Sequence, residues 1–297
     1  MPLRDTLLAL SIVAIWGLNF VAIKVGVSEV PPLLLAALRF FLAAVPAVFF
    51  IRRPMVPLRF ILGFGLVLGV AKFGIQFVAV RLGMPAGLTS LVLQVQVFLT
   101  IALAFVLLGE RPNAWQLAGA ATALAGLGLI TWERLQGAAV IPFLLVLASA
   151  LAWAFANIIM KKAGQVDMLS FVVWTSLVPP LPLLALSLVL EGPDAVLSAV
   201  ANPSWIAIGS LAFLVYPTTV LGYAVWGNLL SRYPAATVTP FALLIPVIAI
   251  LSTGLILGES VSGLVLAGGA LILGGVALNV FAPRLLAALA APKLRGV

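Results

Sequence analysis

The chain has 297 residues but no cysteine and no histidine, and only 8% of its residues are charged. Without these two residue types there can be no disulfide, no thiolate nucleophile, and no proton relay or metal site built on imidazole or thiolate. The eight acidic residues lie at the ends of apolar stretches or between them. No phosphate-binding loop is present either. We therefore expect no enzyme activity, no metal and no cofactor.

Apolar residues make up 64% of the chain, more than soluble proteins contain. A membrane-spanning helix needs about 20 apolar residues, and lipid offers no partners to backbone groups, so the spans should be helices. Short connections leave no room for a soluble domain. The sequence predicts ten spans, roughly at residues 6–26, 32–51, 60–81, 86–108, 114–132, 140–161, 168–190, 203–227, 235–257 and 262–282.

The net charge of +8 is explained by membrane topology. If the N-terminus is cytoplasmic, eleven Lys and Arg residues lie near span ends on the inner side and three on the outer side. Positive residues concentrate on the cytoplasmic side of membrane proteins. Both termini are therefore predicted to be cytoplasmic. The expected partners are the lipid bilayer and a small-molecule substrate, with no nucleic acid.

Several short motifs recur without a gap at a distance of 149 residues. The recurring pairs are Pro85-Ala86 with Pro234-Ala235 and Leu108-Gly109-Glu110 with Leu257-Gly258-Glu259. A repeat of half the length, with five spans in each half, places the halves in opposite orientations, as in many secondary transporters. The predicted fold is an all-α membrane protein with ten transmembrane helices, arranged as two five-helix inverted-topology repeats, residues 1–136 and 137–297.

The segment Trp16-Gly17-x-Asn19-Phe20-Val21-Ala22-x-Lys24 resembles the first-helix signature of the EamA-type transporters of the drug/metabolite transporter superfamily. Arg39-Phe40 and the two Leu-Gly-Glu motifs are similar to that family too. The resemblance covers the whole chain and implies two EamA-type repeats in an inner-membrane exporter of small metabolites. Amino acid exporters, including aromatic amino acid exporters of the YddG type, are the nearest members. The second half departs from the pattern, with Ala154 where the first has Gly17.

Ionisable residues inside a bilayer are costly and usually face a partner or a cavity. Arg39 and Lys72 are the two clear cases here. Lys72 and Gln76 are four residues apart and share a helix face, so together they could hold a carboxylate. Alternatively, Lys72 extends towards the interface. Arg39 is expected to bond carbonyls, to pair with Glu29 or another outer acid, or to contact the substrate.

Aromatic and amide side chains recur in both halves, where Trp16 and Asn19 share one helix face and Trp153 and Asn157 share another. An aromatic wall suits aromatic or large apolar substrates, although the same residues are common in packing. Tyr216, Thr219 and Tyr223 are predicted to share a face, and at most one of Gln94 and Gln96 to face a cavity. The predicted substrate-binding residues are Trp16, Asn19, Lys72, Gln76, Gln94, Trp153, Asn157, Tyr216 and Tyr223.

Prolines inside spans break backbone hydrogen bonds and produce kinks that can act as hinges. Small residues at Gly119 and Gly126, and at Gly268 and Gly275, allow close helix contact within the chain or in a dimer, so a monomer or a homodimer is expected. The predicted structural or gating residues are Arg39, Pro217, Pro240, Pro246, Glu110 and Glu259.

These patterns predict a secondary transporter that exports small metabolites, chiefly aromatic or other neutral amino acids, across the inner membrane by alternating access. Transport is expected to be facilitated, or coupled through a peripheral acid such as Glu110 or Glu259. Drugs and nucleotide sugars are the alternative substrates. From other classes, a channel lacks the expected rings of charge, and a membrane-embedded lipid enzyme lacks convergent acids or a nucleophile with a base.

Overall fold

The computed structural model describes residues 2–45, 47–109, 111–135, 140–164, 166–232, 241–242 and 244–290, which form helices and connections with no strand. Two short elements, a 3₁₀ turn at Ala47–Phe49 and a helix at Pro193–Ala201, lie between longer helices. In chain order the main helices are α1 (Leu3–Glu29), α2 (Pro32–Ala44), α3 (Leu58–Arg81), α4 (Ala86–Leu108), α5 (Ala114–Leu135), α6 (Val140–Ala163), α7 (Met168–Thr175 and Pro180–Leu190), α8 (Trp205–Phe213, Leu214–Leu221 and Gly222–Arg232), α9 (Leu244–Leu257) and α10 (Gly263–Ala290).

Among the described residues, seven helical stretches are long and apolar enough to cross a membrane. They belong to α1, α2, α3, α4, α6, α7 and α8. Shorter apolar stretches, Leu117–Ile130, Leu244–Leu257 and Gly263–Leu278, lie in α5, α9 and α10. The predicted start of the ninth span at 235 lies outside the described residues.

Two of the long helices contain a π-helical segment. In α3 it covers Gly65–Gly74, and in α8 it covers Leu214–Leu221. The two segments begin 149 residues apart, at the spacing of the repeated motifs. Pro217, which has no N–H, lies in the second segment, where Gly222 donates to the Pro217 carbonyl five residues back. Such segments are rare and occur frequently at functional sites.

Helix α7 is broken in its middle. Its first piece ends at Thr175 and its second begins at Pro180. Pro179, Pro180 and Pro182 have no N–H, so they cannot continue the hydrogen-bond ladder through this region. The broken region packs tightly on α3, because a Cβ added at Gly69 would lie 2.0 Å from Pro179 Cγ.

Glycines let α5 and α10 pack with their backbones almost in contact. A Cβ added at Gly126 would lie 2.3 Å from the Gly268 carbonyl oxygen, and one at Gly275 would lie 2.4 Å from that of Gly119. The two predicted glycine faces therefore meet within one chain, where small residues permit such close contact.

The bundle has two ends, which we name by an acidic residue at each. The Glu259 face holds the connections 30–31, 82–85, 191–204 and 258–262, and the Asp167 face holds 50–57, 111–113 and 166–167. At the Glu259 face, the carboxylate of Glu259 accepts the N–H groups of Ala86 (2.9 Å) and Gly87 (3.1 Å) at the start of α4. Glu191 accepts those of Leu33 (2.8 Å) and Leu34 (3.3 Å) at the start of α2.

Two serines at the Glu259 face add further links. Ser204 caps the start of α8 and donates to Glu29 at the end of α1 (2.7 Å). Ser262, at the start of α10, donates to Glu133 near the end of α5 (2.6 Å). At the Asp167 face, Arg232 pairs with Asp5 at 3.2 Å, linking α8 to α1.

Candidate functional site

Two buried cations, Arg39 of α2 and Lys72 of α3, share one aromatic ring. The Lys72 Nζ lies 3.4 Å from the centre of the Phe73 ring, and the Arg39 Cζ lies 4.3 Å from it. The Lys72 Nζ and the Arg39 Cζ are therefore no further apart than these two distances added together. Arg39 is 2% exposed and Lys72 is 4% exposed. Cation–π contact stabilises such desolvated charges, and Phe73 brings the two basic side chains together within the bundle.

Arg39 has an incomplete set of partners. Its Nε donates to Thr219 Oγ1 at 3.2 Å, while its Nη1 is buried without any hydrogen-bond partner. Pairing with Glu29, one of the roles expected for Arg39, is not seen in this conformation, where Glu29 accepts from Ser204 and Glu191 accepts from the start of α2. The π-helical turn of α8 brings Thr219, rather than an acid, to the guanidinium.

A cavity of about 40 Å³ lies next to Arg39, between α2, α3, α7 and α8. That volume exceeds the roughly 10–15 Å³ that one water needs. The polar residues that border it are Arg39, Thr175, Ser176, Thr219 and Tyr223, although nearly all of its inner surface is apolar. The rest is apolar, including Phe40, Phe64, Leu68, Phe73 and Pro179.

Lys72 lies beside two predicted site residues, Gln76 and Trp153. Its Nζ is 4.8 Å from the Trp153 ring centre, so α6 supplies a second aromatic face to the cation. Gln76, one turn further along α3, is 1% exposed and its Oε1 has no partner. Ser149 of α6 fixes this part of α3 by donating to the Lys72 carbonyl at 2.8 Å.

Trp16 of α1 packs against α8. Its indole N–H donates to the Thr218 carbonyl at 3.0 Å, and its ring lies 5.6 Å from that of Tyr223 and 5.1 Å from that of Trp226. Asn19 lies one turn further along α1, is 7% exposed, and has an Oδ1 without a partner. The amides of Asn19 and Gln76 thus each present a buried, unused acceptor.

Asn157 of α6 bonds to Gln96 and Thr100 of α4, neither of which is among the predicted substrate-binding residues. Its Nδ2 donates to Gln96 Oε1 at 2.8 Å and to Thr100 Oγ1 at 3.1 Å. Gln94, a predicted substrate-binding residue, is half-buried and is not a partner of Asn157.

Tyr216 does not face the cavity. It is 58% exposed, whereas Thr219 is 2% exposed and lines the cavity with Tyr223. The prediction of a shared face assumed 3.6 residues per turn, and the π-helical segment changes that period. Trp174 of α7 donates to the Ile51 carbonyl at 3.0 Å near the Asp167 face.

The other predicted structural residues have mixed outcomes. Pro217 lies inside the π-helical segment of α8, and Glu259 caps α4. Pro246 lies in the first described turn of α9, where a missing N–H costs little. Glu110 and Pro240 lie outside the described residues. Among those described, no three acidic side chains come together to hold a metal ion.

Phe73 and Thr219 were not selected as site residues. Phe73 directly follows Lys72, and an aromatic neighbour of a buried cation was the signal available in the sequence. Nothing in the sequence connected Thr219 to Arg39, because that contact depends on the helical period of α8.

Comparison with known proteins identifies the family. The model of the EamA-like transporter family matches residues 4–132 and 140–281. A protein of Salmonella typhimurium strain LT2 named "Probable amino-acid metabolite efflux pump" is 46% identical over 287 residues, covering 95% of this chain and 96% of its own. The protein of the same name from Escherichia coli strain K12 is 43% identical over 290 residues, covering 96% and 97%.

A solved chain, described only as the crystal structure of a protein, has the same fold. It superposes with a TM-score of 0.63 at 21% sequence identity, covering 96% of this chain and 99% of its own. With the family model matching most of its length and two relatives above 40% identity, the chain belongs to the EamA-like transporter family and is an all-helical, multi-pass membrane transporter.

Proposed function

We propose that this protein is a secondary transporter that exports amino acids and related small metabolites across the inner membrane by alternating access. The observation that carries the proposal is the similarity to the two proteins named amino-acid metabolite efflux pump, which extends over at least 95% of each chain. The buried cations Arg39 and Lys72 support it, because a solute with a carboxylate would meet a positive centre deep in the bundle.

Two inverted five-helix repeats, residues 1–136 and 137–297, are the architecture that we propose for this function, with ten spans in all. Three observations support it. The π-helical segments of α3 and α8 begin 149 residues apart. Helices that would be counterparts contact each other, namely α2 with α7, α4 with α9 and α5 with α10. The family model also matches two separate segments, one on either side of the proposed boundary.

The proposed orientation has both termini in the cytoplasm, following the distribution of Lys and Arg along the sequence. The Glu259 face is then the outer one and the Asp167 face the inner one. Carboxylate contacts close the outer face in this conformation. Opening of the inner face alone would then admit a substrate from the cytoplasm, which suits an exporter.

The proposed substrate site lies between the two cations and the aromatic side chains around them. Trp16 and Tyr223 form one wall, and Trp153 with Phe73 forms the other. Asn19 and Gln76 contribute free amide oxygens. Asn157 is occupied by Gln96 and Thr100, and Tyr216 faces outward, so neither is part of this proposal.

Coupling is proposed to be absent or to use an acid at a helix end, such as Glu110 or Glu259, because the sequence has no acid within a span. Proton-driven transport usually relies on an embedded carboxylate or histidine. The protein is thus proposed to be a non-enzymatic facilitator, or an exchanger whose coupling acid lies at a helix end.

The test is uptake of labelled phenylalanine into proteoliposomes, with other amino acids, a nucleotide sugar and a cationic dye as competitors. Saturable uptake that amino acids block is the expected result. Trp16→Ala should lower it about 10-fold through lost aromatic contact. Trp132→Ala removes an outward-facing indole (64% exposed) and should leave it unchanged. If only the nucleotide sugar or the dye competes, the proposed substrate is wrong.

A further inference from the structure

The cavity beside Arg39 contains two opposite electrical poles. Arg39 supplies the positive pole, and its Nη1 is buried with no partner. An unpaired buried donor on a charged group is costly, so a site that keeps one is incomplete without a ligand. The acids at the two ends of α7 do not serve it, since Asp167 accepts from Ser170 and Glu191 accepts from Leu33, Leu34 and Ser187.

The break in α7 supplies the negative pole. The first piece of α7 ends at Thr175, and Thr175 and Ser176 both line the cavity. Pro179 and Pro180 occupy the positions whose N–H groups would normally donate to the Thr175 and Ser176 carbonyls. The Thr175 carbonyl accepts instead from Val178 at 3.2 Å, while Pro180 leaves that of Ser176 without its helical donor. The carbonyl end of a helix carries partial negative charge.

Lys72 is the less suitable cation for a carboxylate in this conformation. Its Nζ already lies against the rings of Phe73 and Trp153, and it is not among the residues that line the cavity. Arg39, in contrast, has a free N–H, and the hydroxyl-bearing side chains of Thr219 and Tyr223 lie on the same cavity. A guanidinium also matches the planar geometry of a carboxylate better than an ammonium does.

We propose that this cavity holds the head group of a free α-amino acid, with the α-carboxylate on Arg39 and the α-ammonium on the carbonyls at the α7 break. The inference rests on the proposed function and makes it more specific. Broken helices in transporters present their ends to charged substrate groups in the same way. The site selects for the zwitterion, so molecules that lack either charge are poor substrates whatever their side chain.

Three analogues test this selectivity in the wild-type protein. Unlabelled phenylalanine, its amide (no carboxylate) and 3-phenylpropanoate (no ammonium) compete with labelled phenylalanine for uptake into proteoliposomes. Each charge-assisted hydrogen bond is worth about 1.5–3 kcal/mol, so each altered analogue should compete about 10-fold to 100-fold less well. Equal competition by all three, with uptake intact, would overturn this inference and leave the proposed function standing. No amino acid uptake at all would overturn both.

A matched pair of variants assigns the carboxylate to one cation. In Arg39→Gln, phenylalanine and its amide should compete about equally well. In Lys72→Gln, uptake should fall, but phenylalanine should still compete better than its amide. A preference lost in Lys72→Gln and kept in Arg39→Gln would overturn the assignment. If Arg39→Gln does not fold, Thr219→Val, which removes the partner of Arg39 Nε, should reduce the preference several-fold. An unchanged preference in that variant would count against the site.

Discussion

The two faces of the bundle are held by different kinds of contact. At the Glu259 face, Glu191 and Glu259 each accept two backbone N–H groups from the start of another helix. At the Asp167 face, the carboxylate of Asp167 accepts from Ser170 of its own helix, and Asp5 pairs with the half-exposed Arg232. At the Glu259 face the bonds thus join carboxylates to the starts of other helices, whereas the contacts described at the Asp167 face between different elements are a half-exposed ion pair and the bond from Trp174 to the Ile51 carbonyl.

This difference indicates which face is easier to open. The first N–H groups of a helix have no partner within it, and a carboxylate satisfies them while interacting favourably with the helix dipole. Opening the Glu259 face would expose those groups again. The Asp5–Arg232 pair is screened on its Arg232 side, which is 46% exposed, and surface pairs contribute about 0–1 kcal/mol, so we expect the Asp167 face to open at the lower cost. The difference in opening cost between the two faces can be tested by substitution, beginning with the contact between α5 and α10, which supports both faces.

The largest expected effect comes from the α5–α10 contact, which extends between the two faces and supports both. Gly126→Ala would place a Cβ 2.3 Å from the Gly268 carbonyl oxygen, so the helices must separate. Because the clash is with backbone atoms, the cost should lie at or above the upper end of the roughly 1–3 kcal/mol that overpacking carries. The midpoint of thermal unfolding in detergent should fall by several degrees. Gly128→Ala, on the same helix with nothing within 4 Å, is the control, and an equal loss there would refute a specific role for the contact.

The second effect concerns the cap on α4. Glu259→Ala removes the acceptor for Ala86 and Gly87, so the Glu259 face should open more often. With about 1.5–3 kcal/mol for bonds to a charged group, a cysteine introduced at the buried Leu88 should react about 10-fold faster with a hydrophilic maleimide. The chain has no other cysteine to interfere.

The control for this labelling is Asp194→Ala, which removes an exposed acid from the same face. It should leave the rate at position 88 unchanged. If both variants label at the wild-type rate, the carboxylate cap does not keep this face closed.

The third effect is smaller and concerns the other face. Arg232→Gln removes the pairing with Asp5, and because the Arg232 side chain is 46% exposed, the loss should stay below about 1 kcal/mol. The difference in unfolding midpoint between wild type and variant should shrink further at 1 M salt. If Arg232→Gln lowers the unfolding midpoint as much as Glu259→Ala does, the Asp167 face is not the more weakly held of the two.

The smallest effect depends on pH. The hydrogen bond from the Ser170 hydroxyl, with those from the backbone N–H groups of Ser170 and Leu169, lowers the pKa of Asp167 despite some opposing desolvation. A carboxyl with a lowered folded-state pKa stabilises the fold above its unfolded pKa, about 3.9, and loses this contribution as pH falls through the folded value. The stability difference between wild type and Asp167→Asn should therefore decline below about pH 4. A difference that is constant from pH 3 to 7 would contradict this.

The positions of most helices could be predicted from sequence. The span predicted at 86–108 is helix Ala86–Leu108, and that predicted at 168–190 is the two-piece helix that ends at Leu190. Prolines, glycines and charges at the ends set these limits. The interior of each helix could not be predicted, because a helix that is apolar all round has no polar face from which to read its period. The π-helical segments and the position of Tyr216 were missed for that reason.

The candidate site was predicted in part. Buried charge pointed to Arg39 and Lys72, and both lie in the bundle interior, yet the choice between their roles needed contacts that no spacing encodes. The repeated Leu-Gly-Glu and Pro-Ala motifs were recognised as separate signals. In the structure, Glu259 of one motif bonds Ala86 of the other. The two motifs thus form the two sides of one contact in the described pair.

The paired π-helical segments of α3 and α8 have a consequence for the length of the chain. A π-helical turn holds about one residue more than an α-helical turn, and each residue rotates an α-helix by about 100°. Deleting one residue from Leu214–Leu221 would let this turn become α-helical with Tyr223 still facing Trp16, whereas deleting one residue from the regular segment Trp205–Phe213 would rotate Tyr223 away from Trp16. Position along these two helices is therefore set by residue number as much as by residue type. Single deletions would disclose a constraint that a complete substitution scan would miss.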